Sequence, residues 1–220
     1  MLPLMEASPF LKLISLSLLL AWYPPVMAVL PSLEEQAGAL LAWKANHQSQ
    51  PAQLQSWEKN IWPCSWHGIS CSNHTQAGHQ LEFPVITGIS LWGSGLTGEL
   101  DNLNFSALAS LTSIKLAHNQ IRGSFPSALA SSLPNLRHLM LQENELSGEI
   151  PKQIGQLESL VGLNLSANRL SGPIPSELGS LKKLLVGPIP INLGNATKLT
   201  ILYLDGNQLS GHLPRELATR

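Results

Sequence analysis

Apolar residues recur at alternate positions in short runs along this chain, and each run stops at an asparagine. Leu136-Arg-His-Leu-Met-Leu-Gln-Glu-Asn144 and Leu160-Val-Gly-Leu-Asn-Leu-Ser-Ala-Asn168 share L-x-x-L-x-L-x-x-N, and the step from Asn144 to Asn168 sets the period. Leu199 to Asn207 repeats the pattern, and Leu111 to Asn119 does so with Ile114 in one leucine place. The segments then continue in step, with Ile121, Leu146, Leu170 and Leu209 two places after the asparagine. Gly123, Gly148, Gly172 and Gly211 follow at four, and Pro126, Pro151, Pro175 and Pro214 at seven. A degenerate earlier copy runs from Ile86 through Ile89, Leu91, Leu96 and Gly98 to Leu100, with Ser94 in the asparagine place.

A period of two broken by Asn and Gly excludes an amphipathic helix and predicts short strands. Alternate leucines point inward, the residues between them face solvent, and coils stack by parallel pairing at about 4.8 Å. One coil cannot bury its own apolar face, so only the stack is stable. The asparagine amide is placed to satisfy backbone groups stranded by the bend.

Ahead of the repeats, Leu13 to Trp22 is a short apolar run followed by Pro24-Pro25 and Val26-Met27-Ala28. It is too short to span a bilayer, which takes about 20 residues. Small residues one and three positions before a cut make residues 1–28 a predicted signal peptide. No other stretch is long and apolar enough to span. Composition narrows function further: with a formal net charge of -1, the chain has no basic field for nucleic acid.

Two cysteines, Cys64 and Cys71, allow two readings. One intramolecular disulfide suits a secreted chain. Alternatively, Cys64, His67, Cys71 and His74 form C-x2-H-x3-C-x2-H, a zinc-competent set. So tight a spacing leaves little chain to wrap a metal, and the leader favours the disulfide. Gly93-Ser-Gly95-Leu-Thr-Gly98 reads G-x-G-x-x-G after a strand, but a dinucleotide site needs a helix and an acidic residue about 20 positions on. That neighbourhood holds Lys115, His118 and Asn119. The V-A-I-K, H-R-D and D-F-G patterns of a kinase are missing from the sequence. Hence no catalytic residues, metal site or cofactor are expected.

The extended form L-x-x-L-x-L-x-x-N-x-L-x-G-x-I-P, intact from Leu136 to Pro151 and from Leu160 to Pro175, resembles the plant-specific leucine-rich repeat. Ser32-Leu-Glu-Glu35 reads as a capping box opening a helix with Leu33, Ala37, Leu40 and Leu41 on one stripe. Leu54, Trp57 and Pro63-Cys64-Ser-Trp66-His-Gly68-Ile-Ser-Cys71 follow in the order of that family's amino-terminal cap. With Leu103-Asn-Phe-Ser106, the whole is similar to ectodomains of plant leucine-rich-repeat receptor-like kinases. The resemblance implies an α/β solenoid: a superhelix with a parallel concave sheet, a 3-10 or irregular convex side and a helical cap. It divides the chain into signal peptide 1–28, cap 29–84 and repeats 85–220.

Within the repeats, the interval from Asn168 to Asn207 falls nine positions short of two full periods. Leu181-Lys-Lys-Leu184 begins a repeat and Val186-Gly-Pro-Ile-Pro190 ends one, so a repeat shortened at about 181–195 and a local break in the sheet are expected. The last repeat ends on Leu209-Ser-Gly-His-Leu-Pro214 without a carboxyl cap pattern, which reads as truncation.

Outward strand positions nominate a binding surface of Trp92, Lys115, His118, Met140, Gln142, Glu143, Asn164, Tyr203 and Asp205, with Ser90, Ala117, Ser166 and Ala167 between them. Exposed aromatics and Met on a rigid sheet can anchor a peptide or protein. His118 and His138, five strand positions apart in neighbouring coils, lie roughly 16 Å apart and are not expected to couple. Asn73, Asn104, Asn164 and Asn195 open N-glycosylation sequons. By resemblance, the expected role is an extracellular domain that binds a peptide, a protein or a co-receptor at the outer face of the plasma membrane. Any membrane attachment would lie in a segment outside this chain. The alternative is a soluble secreted inhibitor of an extracellular enzyme, similar to polygalacturonase inhibitors.

Overall fold

The computed structural model describes residues 30–47, 51–75, 82–182 and 199–214. The predicted signal peptide therefore lies outside the described residues, and the fold is that of the unit from Pro31 onward.

The described residues open with helix α1 (Leu33–Ala45), started by the capping box that its sequence spells. Glu35 N–H donates to Ser32 Oγ at 3.2 Å, and Ser32 N–H donates to the Glu35 carboxylate at 2.7 Å. Those bonds to Ser32, the backbone one foremost, hold the Glu35 carboxyl below its ordinary value. The inner face of α1 is wider than the apolar stripe indicated. Ala37, Leu40 and Trp43 are buried, Leu33 and Leu41 pack at the margin, and Gln36 is buried as well. Gln36 belongs inside because both ends of its amide are used: Nε2 donates to the Pro31 carbonyl and Oε1 accepts from Ile86 N–H. It thereby ties the cap to the first strand of the solenoid.

Cys64 and Cys71 are joined in a disulfide. It links a 3-10 turn (Pro63–Ser65) to strand β1 (Ile69–Thr75), which pairs antiparallel with β2 (Glu82–Ser90). The sequence boundary at 84/85 falls inside β2. Beyond the hairpin, β2 is followed in the same sheet by the parallel strands β4 (Ser113–Lys115), β6 (His138–Met140), β8 (Gly162–Asn164) and β10 (Ile201–Tyr203). Ile89, Ile114, Leu139, Leu163 and Leu202 lie side by side as its inward row.

The asparagines form the second repeating element. Asn144 Nδ2 donates to the carbonyls of Leu116 and Leu141, while its Oδ1 accepts from Ile121 N–H. Asn168 repeats this with Leu141, Leu165 and Leu146, one coil on. Each amide thus staples its own coil to the one before it. At the degenerate copy, Asn119 Oδ1 takes two amides, Ser94 N–H and Leu96 N–H.

This ladder corrects one expectation. No break separates the strands flanking the irregular repeat: β10 pairs with β8 in register, Ile201 to Gly162 and Tyr203 to Asn164. Asn207 takes the next rung, accepting from Leu170 N–H at 3.0 Å and donating to the Leu165 carbonyl at 2.8 Å. In the six-stranded sheet β8 is thus neighboured directly by β10, so the expected local break in the sheet is not found there. Residues 183–198, which hold most of the span expected to be shortened, lie outside the described residues.

A second sheet was not foreseen. Strands β3 (Thr97–Glu99), β5 (Gln120–Ser124), β7 (Glu145–Glu149), β9 (Arg169–Pro173) and β11 (Gln208–Ser210) pair in that order, each lying in the L-x-G segment that follows the asparagine place. The glycines inside it adopt positive φ, and Glu149 lies across Gly172 so closely that a Cβ there would stand 2.7 Å from its Cγ. Opposite the six-stranded sheet's part of each coil come 3-10 turns (Phe105–Leu108, Lys152–Gln156, Ser176–Lys182) and one short helix, α2 (Ser127–Ser132). Gly93, Gly95 and Gly98 all have positive φ and lead into β3 rather than a helix, so the G-x-G-x-x-G run makes a turn of the solenoid.

Candidate binding face

Strand register sorts the nominated residues into rows that cross the coils. Ser90, Lys115, Met140, Asn164 and Tyr203 stand shoulder to shoulder in consecutive strands. Two places further on come Trp92, Ala117, Gln142, Ser166 and Asp205, and then Gly93, His118, Glu143, Ala167 and Gly206. Every member of this last row has positive φ, and His118, Glu143 and Ala167 have it without being glycine. The turn onto the asparagine rung imposes this conformation, which costs a side-chain-bearing residue about 1–2 kcal/mol. Backbone bonds hold it in place, with His118 N–H donating to the Gln142 carbonyl and Glu143 N–H to that of Ser166.

The structure brings three nominated residues together. His118 Nδ1 lies 2.6 Å from Glu143 Oε2, and the Trp92 ring meets the His118 ring edge-on with centroids 4.6 Å apart. The sequence nominated them separately. They meet because equivalent positions in adjacent coils are one strand spacing apart. Trp92 remains 64% exposed at one end of the face and Tyr203 55% at the other. Lys115, Glu143 and Asp205 are exposed, whereas Met140, Gln142 and Asn164 are half-buried. Ala117 was expected to face out and is buried.

Met140 reaches toward the neighbouring strand, where a Cβ on Gly162 would come 2.8 Å from its Cε. Asn164 Oδ1 is occupied within its own coil, accepting from Ser166 N–H at 3.0 Å and Ser166 Oγ at 2.7 Å. Of the other sequons, Asn73 lies on β1 with its amide donating to Glu82, Asn104 is exposed, and Asn195 lies outside the described residues.

Sequence reasoning passed over Arg137 and Ile201. Arg137 is exposed beside His138, whose imidazole is held below its ordinary value by burial first and then by the charges of Lys115 and Arg137. Ile201 is exposed next to Tyr203. Ile201 stands two places before Tyr203 and Arg137 three places before Met140, both ahead of the first row that was nominated. The face carries exposed aromatic and apolar side chains at its ends and polar groups between, and the described residues hold no group of three or more His, Cys, Asp or Glu able to bind a metal.

Comparison with known proteins agrees with this architecture. The leucine rich repeat N-terminal domain matches residues 33–72, and leucine rich repeat models match residues 109–170 and 198–219. Over 96 residues, 43% of this chain, it is 33% identical to an Arabidopsis thaliana LRR receptor-like serine/threonine-protein kinase, RGI3. The crystal structure of the BIR3–SERK2 complex from the same plant contains a chain 34% identical, with a TM-score of 0.66 over 82% of this chain and 86% of that one. The Arabidopsis receptor kinase HAESA, solved with the peptide hormone IDA and the co-receptor SERK1, is 30% identical over 84% of this chain and 35% of that one, with a TM-score of 0.52. The chain spans only about a tenth of the length of the curated relatives it matches. No described helix is long and apolar enough to cross a membrane.

Proposed function

The chain belongs to the leucine-rich-repeat family of plant receptor ectodomains, and from that premise we propose that it is an extracellular recognition module without chemistry of its own. Its ligand is a peptide or protein held across the six-stranded face, with a co-receptor as second partner, in cell-surface signalling by a receptor-like kinase. The observation that carries this reading is the pair of exposed aromatics, Trp92 and Tyr203, at the two ends of one face whose backbone is fixed rung by rung. A rigid exposed aromatic offers large apolar area with little conformational entropy left to lose. The peptide hormone and co-receptor bound by HAESA supply the class of partner by analogy. Nothing in the geometry favours the secreted-inhibitor alternative.

Short peptides selected by display on the full chain test the reading. They should lose at least about tenfold in affinity to Trp92→Ala or to Tyr203→Ala, the behaviour of interface anchors. Selected peptides that bind the double variant undiminished would place recognition elsewhere on the molecule.

A further inference from the structure

The amino-terminal cap carries a cleft that the strand face does not explain. It has a volume of about 530 Å³, within the range of small-molecule sites, and lies between α1 and the loop at residues 59–63. Its walls are Leu33, Ala37 and Leu41 from the helix, and Trp62, Pro63 and Trp66 from the loop side. Trp66 is buried, stacked on Trp57 at 5.6 Å, and donates its indole N–H to the Ile61 carbonyl. Trp62 is 58% exposed, yet its carbonyl is pinned by Ser65 N–H and Ser65 Oγ, one residue from the disulfide. The cleft is thus built before anything enters it.

Gly38 is the second observation. Glycine is the poorest helix former after proline, and here it sits inside α1 on the cleft wall. Close packing does not require it, since a Cβ at this position would meet nothing within 4 Å. What glycine does there is leave the cleft open. The lips carry opposite charges, Glu34 on the helix side and Lys59 with Asn60 on the loop side. Neither charge is in an ion pair with another described residue.

We propose that this cleft is a binding site for a small aromatic zwitterion of the amino-acid class. The ring lies between the tryptophans and the helix, the ammonium meets Glu34, and the carboxylate meets Lys59 and Asn60. The site is separate from the strand face and does not depend on what that face binds.

Fluorine NMR of the full chain with 5-fluoro-L-tryptophan is the test. Saturable binding is expected with a dissociation constant on the order of 0.1–1 mM, as suits a ligand of this size. N-acetyl-5-fluoro-L-tryptophanamide, with both charges removed, should bind at least fivefold more weakly. Gly38→Leu, which fills the cleft, should weaken binding at least tenfold without lowering the melting temperature. Lys59→Glu, at an exposed position, gives a second reading should the leucine variant fold poorly, and should cost at least fivefold. Absence of saturable binding, or binding unmoved by both substitutions, would overturn the proposal. Equal binding of the uncharged analogue would overturn the role of the charged lips.

Discussion

Deleting residues 184–198 should leave the solenoid standing and slightly more stable. The deletion joins Lys183 to Leu199 and restores the regular repeat interval from Asn168 to the asparagine now at 207, giving Leu181-Lys-Lys-Leu199-Thr-Ile-Leu202 across the junction. Every strand pairing of β10 and β11, and both ladder bonds of Asn207, lies outside the deleted stretch. The expected gain is the closure entropy of a shorter loop, (3/2)RT ln(39/24), or about 0.4 kcal/mol. At about 2–4 °C per kcal/mol for a chain of this size, the melting temperature should rise by about 1–2 °C. Hydrogen exchange read by mass spectrometry is the sharper assay, because a terminal coil can open without moving the main transition. Protection over Ile201–Tyr203 and Gln208–Ser210 should match that of the full chain. If the deletion strips protection from β10 and β11, the last strands depend on the removed residues, and the reasoning from the direct pairing of β10 with β8 is wrong.

Four further outcomes follow from the packing. Gly155→Ala would place a Cβ 2.7 Å from the Glu177 carbonyl oxygen, so it should cost about 1–3 kcal/mol in a denaturant melt, whereas Ala130 already fills the equivalent place in α2. Cys64→Ser with Cys71→Ser opens the small loop that the disulfide closes, and about 2–3 kcal/mol of stability should go with it. Acid should weaken the fold. Burial depresses His47 despite the opposing bond to the Thr97 carbonyl, and burial, Lys115 and Arg137 depress His138. The unfolded chain therefore takes up these protons first. The stability from the neutral imidazoles is complete above about pH 6.5 and declines as pH falls through the folded values. A urea midpoint higher at pH 5 than at pH 7.5 would contradict that sign. Finally, Asn164 should carry little glycan when glycopeptides are mapped, because it stands within the strand face; full occupancy there would move the ligand to another surface.

What the sequence disclosed was whatever repeats along the chain. Inward leucines, the asparagine rungs and the capping box of Ser32 and Glu35 each follow from residue type at a fixed interval, and the pairing of the cysteines from there being only two of them behind a predicted leader. Contacts between coils were harder to read. The pair of His118 with Glu143 joins one coil to the next, and neither residue belongs to the repeat consensus. The positive φ of His118, Glu143 and Ala167 carries no residue signature, because the ladder forces that conformation on whatever residue stands there. Trp43 and Gln36 were missed for a related reason: α1 is buried against the Trp57 ring and the first strand of the solenoid, a tertiary demand wider than its apolar stripe.

The irregular repeat shows where counting along a chain gives way to counting across it. Leu181-Lys-Lys-Leu184 and Val186-Gly-Pro-Ile-Pro190 look like the two ends of a damaged coil, and by interval alone a deficit of nine is as good an account as an excess of fifteen. Hydrogen bonds fix which coil the last strands join, since Asn207 can staple only the coil it touches, and it staples that of Leu165 and Leu170. The consequence reaches the binding face. With no intervening strand, Tyr203 stands beside Asn164, and four strand spacings separate the Trp92 coil from the Tyr203 coil. At about 4.8 Å each, that is a span of about 19 Å, or about six residues of extended peptide. A ligand anchored at both aromatics should therefore carry its two apolar residues about six positions apart, a spacing one more coil would have lengthened.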